Sequence, residues 1–184
     1  MTILLEATGL GLLRGGRILF EGLDLRLGAG DALHLTGPNG SGKSSLIRLV
    51  AGLLRPNAGR LERAEAALAD ENLALDRELP LGRALAFWGG SRLFEAMHAF
   101  ALEPLAAVPV RYLSTGQAKR ARLARVVASA APLWLLDEPL NGLDIDGTER
   151  LAVAIAAHRQ AGGAVLAASH GPMAGNWDRL DLTR

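Results

Sequence analysis

The sequence predicts an α/β fold built on a buried parallel sheet. Two short strands, residues 133–136 and 164–168, are wholly apolar, which is typical of parallel strands covered on both faces. A third strand, residues 32–36, leads directly into a glycine-rich loop that a helix follows. Strand, glycine loop and helix in that order form the context in which phosphate-binding loops occur.

The remaining elements follow from hydrophobic periodicity. Alternating residues predict a strand over 18–27, and apolar residues at helical spacing predict a helix over 44–54 that Arg55-Pro56 ends. The alanine-rich stretch 81–102 is predicted to be helical, with a break at Gly89-Gly90. Further helices are predicted over 117–130 and 145–160. On the first of these, the polar side is expected to carry the cations Lys119, Arg120, Arg122 and Arg125.

Length and composition indicate one globular domain over residues 1–184. Hydrophobic residues make up 49% and charged residues 21%, and the formal net charge of +1 argues against a nucleic-acid binder driven by bulk electrostatics. There is no cysteine, which excludes disulfides and thiolate metal sites. Because the sequence shows neither a secretory signal nor an apolar run of about 18 residues, we expect a chain that is soluble or reaches a membrane through partners.

The run Gly37-Pro-Asn-Gly-Ser-Gly-Lys-Ser44 matches a loop whose backbone N–H groups wrap nucleotide phosphates. Lys43 is expected to reach the β- and γ-phosphates and Ser44 to hold Mg²⁺. An accidental glycine turn is the alternative, and the flanking strand and helix argue against it. The expected phosphate-binding residues are Gly37, Pro38, Asn39, Gly40, Ser41, Gly42, Lys43, Ser44 and Ser45.

Two acids follow the apolar strand 133–136. The carboxyl end of a parallel strand faces the crevice in which ligands bind, so Asp137 is expected to hold Mg²⁺ and Glu138 to polarise the attacking water. A solvated acidic turn would explain one acid at this position more easily than the pair.

Residues 114–117, Ser-Thr-Gly-Gln, open a predicted helix. Ser114 is therefore a candidate N-cap, and the same helix N-terminus is also a candidate anion site. One nucleotide cannot easily use this terminus and the phosphate loop within one domain. The second interpretation therefore predicts a head-to-tail dimer that encloses ATP between its two copies.

Taken together and in order, these motifs resemble those of the ABC transporter ATPase family. The carriers are residues 37–44, 113–117, 133–139, 140–144 and Ser169-His170, and the resemblance extends over about residues 4–170. It implies a P-loop NTPase fold of the ABC ATPase type with a short helical insert, at about 73–114, and an ATP hydrolase that acts as a translocase. It also implies that Ser114 and Gly116 contact the γ-phosphate bound by a second copy, with Gln117 as a further nucleotide-binding residue. His170 is implied to contact the γ-phosphate and to hold the attacking water in position.

Within that family, the local sequence is most similar to the ATP-binding subunits of haem exporters used in cytochrome c maturation. Residues 14–20, 49–59, 108–114 and 131–139 carry this similarity. It implies integral membrane permease partners of the cytochrome c maturation system, no nucleic acid, and a peripheral position on the cytoplasmic face of the bacterial inner membrane.

Three positions depart from the family pattern. Arg14 stands where an aromatic residue commonly stacks on adenine, and a guanidinium plane can also stack on a base. Glu71 is the best match for a glutamine that joins Mg²⁺ to the membrane subunit, and we expect it as a further metal ligand. Thr115 replaces a glycine of the helix-opening motif.

The sequence leaves other functions open. The cargo of an exporter could instead be a lipid, a lipoprotein or another small molecule. A non-transport ATPase acting on nucleic acid or ribosomes and a degenerate regulatory nucleotide binder are further alternatives. Met97 and His98 are expected to serve packing and surface rather than haem ligation, and no partner is predicted for His34 or His158.

Overall fold

The structure, a computed structural model that describes residues 2–72 and 74–183, contains eight strands and five α-helices in the described part. The strands are β1 (Ile3–Arg14), β2 (Arg17–Gly28), β3 (Ala32–Thr36), β4 (Ala58–Arg63), β5 (Ala66–Ala69), β6 (Leu133–Asp137), β7 (Ala164–Ala168) and β8 (Asp178–Asp181). The helices are α1 (Lys43–Val50), α2 (Leu81–Gly89), α3 (Leu93–Ala99), α4 (Thr115–Ala128) and α5 (Ile145–Gln160).

The strands form two sheets. β2, β1 and β4 make an antiparallel sheet in that order, and the second sheet has the order β5-β6-β7-β3-β8 with parallel pairing throughout. Parallel pairing places the carboxyl ends of β3, β6 and β7 at one edge of the second sheet. The loops that follow these strands therefore open side by side.

Each central strand divides its side chains between two hydrophobic cores. Leu133 and Leu135 of β6 pack with α1 and the antiparallel sheet, whereas Trp134 and Leu136 pack with α2 to α5. β7 alternates in the same way. Alternation of this kind is the consequence of a period of two along a strand that is buried on both faces.

Several predicted elements are confirmed and others differ. β3, β7 and α5 have the predicted bounds. The break predicted at Gly89-Gly90 is also confirmed, because the stretch 81–102 contains two helices, α2 and α3, joined by a 3₁₀ turn at Gly90–Arg92, but α3 ends at Ala99 rather than at residue 102. At Gly89 a β-carbon would collide with the carbonyl of Ala128, so this glycine lets the end of α2 press against the end of α4. α2 and α3 lie within the expected insert, whose first residue, Leu73, lies outside the described residues.

The prediction that all the cations of α4 lie on a polar side is wrong. Lys119 is 6% exposed and Arg125 is 7% exposed. Arg125 lies over the ring of Trp88, 4.6 Å from its centroid, and donates a hydrogen bond to the carbonyl of Leu68. The side of α4 that bears these charges is therefore covered by protein, and backbone carbonyls solvate the buried cations.

Candidate nucleotide-binding site

The phosphate loop between β3 and α1 depends on glycine at two positions. Gly42 caps α1 with φ 109°, and a β-carbon there would lie 3.3 Å from Cβ of Leu19. Gly37 has φ 130°, and its β-carbon would lie 2.9 Å from Oγ of Ser41. Both backbone angles are ones that residues with side chains rarely adopt, so the loop keeps its shape only with glycine here.

The ammonium of Lys43 is held inside this loop. Lys43 is 6% exposed, and its Nζ donates to the carbonyls of Gly37 at 2.7 Å and Pro38 at 3.1 Å. A positive charge that the loop itself holds, beside the N-terminus of α1, makes this loop suited to binding phosphate.

Ser44 and Asp137 meet across the site. Ser44 Oγ donates to Asp137 Oδ1 at 2.9 Å, and Asp137 is 8% exposed. Burial raises the pKa of Asp137, although the hydrogen bond from Ser44 and the charge of Arg48 oppose this rise.

A hydroxyl and a carboxylate this close together are the oxygen donors that Mg²⁺ prefers, and Mg²⁺ often takes only one or two protein ligands beside substrate phosphates. Within 2–72 and 74–183, no group of three or more acidic, histidine or cysteine side chains is arranged to hold a metal ion. The Ser44–Asp137 pair therefore fits Mg²⁺ that arrives with a nucleotide.

Glu138 has an unusual backbone at the end of β6. Its φ is 49°, in the left-handed region, and its N–H donates to the carbonyl of Ala168 at 2.8 Å. One carboxylate oxygen, Oε1, lies 3.5 Å from Nε2 of His170, and the other, Oε2, is buried without a hydrogen-bond partner. The carboxylate therefore lines the cleft beside a histidine, and a carboxylate in such a cleft can serve as a general base.

A cleft of about 340 Å³ joins these groups. Arg14 lies on its wall and donates from Nη1 to Ser45 Oγ at 3.4 Å. The lining residues are Arg14, Leu19, Asn39, Gly40, Gly42, Lys43, Ser44, Ser45, Glu138 and His170. Pro38 and Ser41 line a second, neighbouring cleft that shares Asn39 and Gly40 with the first. Most of the expected phosphate-binding residues, both expected catalytic residues and Arg14 thus share one space.

A second cleft, of about 350 Å³, contains Glu71. It is lined by Ser44, Arg48, Glu71, Lys119, Arg122, Asp137, Glu138 and Asn141. The exposed carboxylate of Glu71 pairs with Arg48, at 3.4 Å from its Nη2. Glu71 therefore shares a cleft with Ser44 and Asp137 without contacting them, and its role as a metal ligand stays a prediction.

The motif at 114–117 lies elsewhere on the surface. Ser114 caps α4 through a reciprocal pair of hydrogen bonds: Gln117 N donates to Ser114 Oγ at 3.3 Å, and Ser114 N donates to Gln117 Oε1 at 2.9 Å. The N-cap prediction is confirmed. Ser114 and Thr115 are exposed, and no residue of this motif lines either cleft. A role in binding a second copy's nucleotide stays a prediction.

Lys119 and Arg122 border the site, and sequence reasoning missed both. Lys119 Nζ donates to the carbonyl of Glu138 at 2.8 Å, and burial lowers the pKa of Lys119 to about 8. Arg122 Nη1 donates to the carbonyls of Asp70 at 3.1 Å and Glu71 at 2.6 Å. Their spacing along α4 identified them as helical cations but carried no signal of which face would be covered.

The other histidines have structural partners. His34 donates to the carbonyl of Ser169 at 3.0 Å, and His158 donates to the carbonyl of Pro132 at 3.2 Å and stacks on Trp134. His98 is exposed and pairs with Glu103, while Met97 is buried in the core. The expectation that Met97 and His98 serve packing and surface is confirmed.

Comparison with known proteins finds a matching family model and similar curated proteins. A family model described as ABC transporter matches residues 20–141. Similar curated proteins include the cytochrome c biogenesis ATP-binding export proteins CcmA of Sphingopyxis alaskensis and Novosphingobium aromaticivorans. The first is 58% identical over 92% of this chain and 91% of its own length, and the second is 60% identical over 92% and 90%.

Solved structures match the fold. One described as the ATP-binding subunit of an ABC transporter superposes with a TM-score of 0.82 at 24% identity, over 91% of this chain and 79% of that one.

Among the described residues, none of the helices combines the length and the apolar character that a membrane crossing requires.

Proposed function

The chain belongs to the ABC transporter family, and on that premise we propose that it is the ATP-hydrolysing subunit of an export complex for cytochrome c biogenesis, with haem as the cargo. The observation that carries the catalytic part is the meeting of Lys43, the Ser44–Asp137 pair and Glu138 at one edge of the parallel sheet. The relatives named as cytochrome c biogenesis export proteins support the choice of process.

Each side chain has a distinct part in the proposed hydrolysis. The loop N–H groups and Lys43 bind the β- and γ-phosphates, and Arg14 stacks on the base at the cleft wall. Ser44 and Asp137 would hold Mg²⁺, and the chemistry that this ion would supply is positive charge to stabilise the transferred phosphoryl group.

Glu138 is the general base of the proposed reaction. Its carboxylate accepts a proton from the attacking water, and His170, which is 3.5 Å away, orients that water toward the γ-phosphate. Glu71 shares a cleft with Asp137, and it is the residue to which we assign the coupling of the nucleotide site to a membrane partner.

The exposed N-terminus of α4 supports an assembly of two copies. Ser114 and Thr115 face solvent, away from both clefts of their own chain. In a head-to-tail pair, Ser114, Gly116 and Gln117 of one copy would approach the γ-phosphate held by Lys43 of the other. Integral membrane permease subunits of the cytochrome c maturation system complete the complex, and this chain lies on the cytoplasmic face of the inner membrane.

The catalytic part is tested by ATP hydrolysis in the purified complex. The wild-type chain should release phosphate, whereas Lys43→Ala loses nucleotide binding and Glu138→Gln binds ATP but turns over at least about a hundredfold more slowly. A Glu138→Gln complex with wild-type turnover would remove Glu138 from the role of base.

The proposed role in cytochrome c biogenesis is tested separately in cells. A strain that lacks the gene should fail to accumulate haem-bearing c-type cytochromes, and the wild-type gene but not Glu138→Gln should restore them. Normal c-type cytochromes in the deletion strain, together with intact ATPase activity of the purified complex, would redirect the proposal to an exporter of another cargo such as a lipid or lipoprotein.

A further inference from the structure

Lys119 is buried beside the candidate site, and it makes one hydrogen bond to the residues that the structure describes. Its Nζ donates to the backbone carbonyl of Glu138 at 2.8 Å. The residue is 6% exposed, and it lies on the wall of the cleft that also contains Ser44, Asp137 and Glu138. Burying an ammonium is costly, so a lysine retained there must be matched by a favourable contact.

The carbonyl that Lys119 binds belongs to the residue with the unusual backbone. Glu138 has φ 49°, an angle that a residue with a side chain holds only when its surroundings fix it. Its N–H is fixed by the carbonyl of Ala168 on β7. Its carbonyl is fixed by Lys119 and, at 3.3 Å, by the N–H of Asn141.

The same helix that carries Lys119 begins at the exposed motif. Ser114 caps α4, and Gly116 lies in the first turn of this helix, where an added β-carbon would come 3.8 Å from the carbonyl oxygen of Gly142, in the loop after Glu138. The first turn of the helix thus lies close to this loop, and the ammonium of Lys119 contacts Glu138 itself. A displacement of the α4 N-terminus would therefore reach Glu138 through a direct hydrogen bond.

We propose that Lys119 is a positioning residue: its ammonium holds the backbone of Glu138 so that the carboxylate faces the water that attacks ATP. Lys119 thereby links the catalytic acid of one copy to the helix whose N-terminus serves the other copy's nucleotide. This inference rests on the proposed ATP hydrolysis and names a residue that acts through Glu138 without touching substrate.

The test compares variants of α4 in the assembled complex, with turnover and ATP affinity measured separately. Lys119→Met keeps the unbranched stem but removes the donor, and Lys119→Arg keeps a cation that can reach the carbonyl. Arg120→Met is the matched control, because it removes a neighbouring charge of the same helix whose partner is Asp146 rather than Glu138.

For Lys119→Met, kcat should fall by about tenfold or more while the dissociation constant for ATP changes by less than about twofold, since the residue acts only on the chemical step. Lys119→Arg should recover most of the lost kcat, and Arg120→Met should stay within about twofold of wild type in both quantities. If Lys119→Met does not fold, Lys119→Gln, whose amide is too short to reach the carbonyl, is judged by the same criteria.

Two results would overturn the inference: wild-type kcat in folded Lys119→Met, or a joint loss of kcat and ATP affinity that Lys119→Arg does not relieve. The second result would indicate a merely structural role. Failure of the proposed function is a different outcome, in which the wild-type chain itself hydrolyses ATP no faster than Lys43→Ala.

Discussion

Glu138 combines the chemistry of the site with a backbone conformation that suits glycine. Its φ of 49° costs a residue with a β-carbon about 1–2 kcal/mol, and its Oε2 is buried without a partner. Both features weaken the folded state at the residue that we propose as the general base. Local strain of this kind persists only where surrounding contacts impose it.

The cost of this conformation can be measured with two variants that remove the same carboxylate. Glu138→Gly should be more stable than Glu138→Ala by about 1 kcal/mol in urea unfolding without nucleotide, because only alanine keeps the β-carbon that the left-handed backbone disfavours. Neither variant should hydrolyse ATP. Equal unfolding free energies would show that the backbone at this position is not strained.

At the residue scale, the sequence predicts those side chains whose spacing is dictated by contact with a ligand. Lys43 and Ser44 follow from the glycine pattern, and Asp137 and Glu138 follow from an apolar strand that ends in acids. Lys119 could not be predicted, because its partner is a backbone carbonyl that any residue at 138 would offer. The ion pair of Glu71 with Arg48 is equally a product of tertiary structure.

At the scale of elements, α5 shows how a buried histidine makes stability depend on pH. His158 stacks on Trp134 with ring centroids 3.9 Å apart, and burial lowers the pKa of His158 below its ordinary value of 6.5. The folded chain therefore resists a proton that the unfolded chain accepts. As the pH falls below about 6.5, the unfolded chain binds more protons than the folded chain, so the free energy of unfolding falls by at most about 1.4 kcal/mol per pH unit. Above that pH, both states hold a neutral His158, and this residue contributes no pH dependence.

Replacing the imidazole by an apolar ring should remove this contribution. His158→Phe keeps a ring against Trp134, so the free energy of unfolding should fall less steeply between about pH 6.5 and pH 5 than in the wild-type chain. Urea unfolding at a series of pH values measures the slope. An unchanged slope in His158→Phe would assign the acid sensitivity to other groups.

Elements with regular periodicity were predictable, and irregular strands were not. α5 and β7 have clear patterns, whereas β1, β4, β5 and β8 had no predicted counterpart. β1 pairs with β2 through several register shifts and contains Gly9 at φ 61°, so its alternation is interrupted. β5 is built from Ala-Ala-Leu-Ala, a composition with low strand propensity that becomes a strand through pairing with β6.

At the scale of the whole molecule, the separation of the α4 N-terminus from the nucleotide cleft predicts association that depends on ATP. Glu138→Gln should form a dimer in the presence of ATP and Mg²⁺ and remain monomeric without nucleotide, because ATP persists when hydrolysis is blocked. Light scattering after size exclusion measures the mass in each condition.

A second substitution tests whether the N-terminus of α4 belongs to the dimer interface. Ser114→Glu, combined with Glu138→Gln, places a negative charge where the second copy's γ-phosphate would lie, so it should abolish the dimer while each chain still binds ATP. Dimers that persist in the double variant would place the interface elsewhere on the surface.

β6 sends alternate side chains to two different cores, and it ends at Asp137, directly before Glu138, so its position in the sheet serves both folding and the proposed chemistry. Inserting or deleting one residue in this strand would exchange the faces of Trp134 and Leu135 and would move the acids out of line with Ser44. A change in the length of β6 should therefore destabilise the fold and disrupt the site, even when the added residues are apolar. Exposed turns such as Gly15-Gly16, between the antiparallel strands β1 and β2, should accept added residues far more readily.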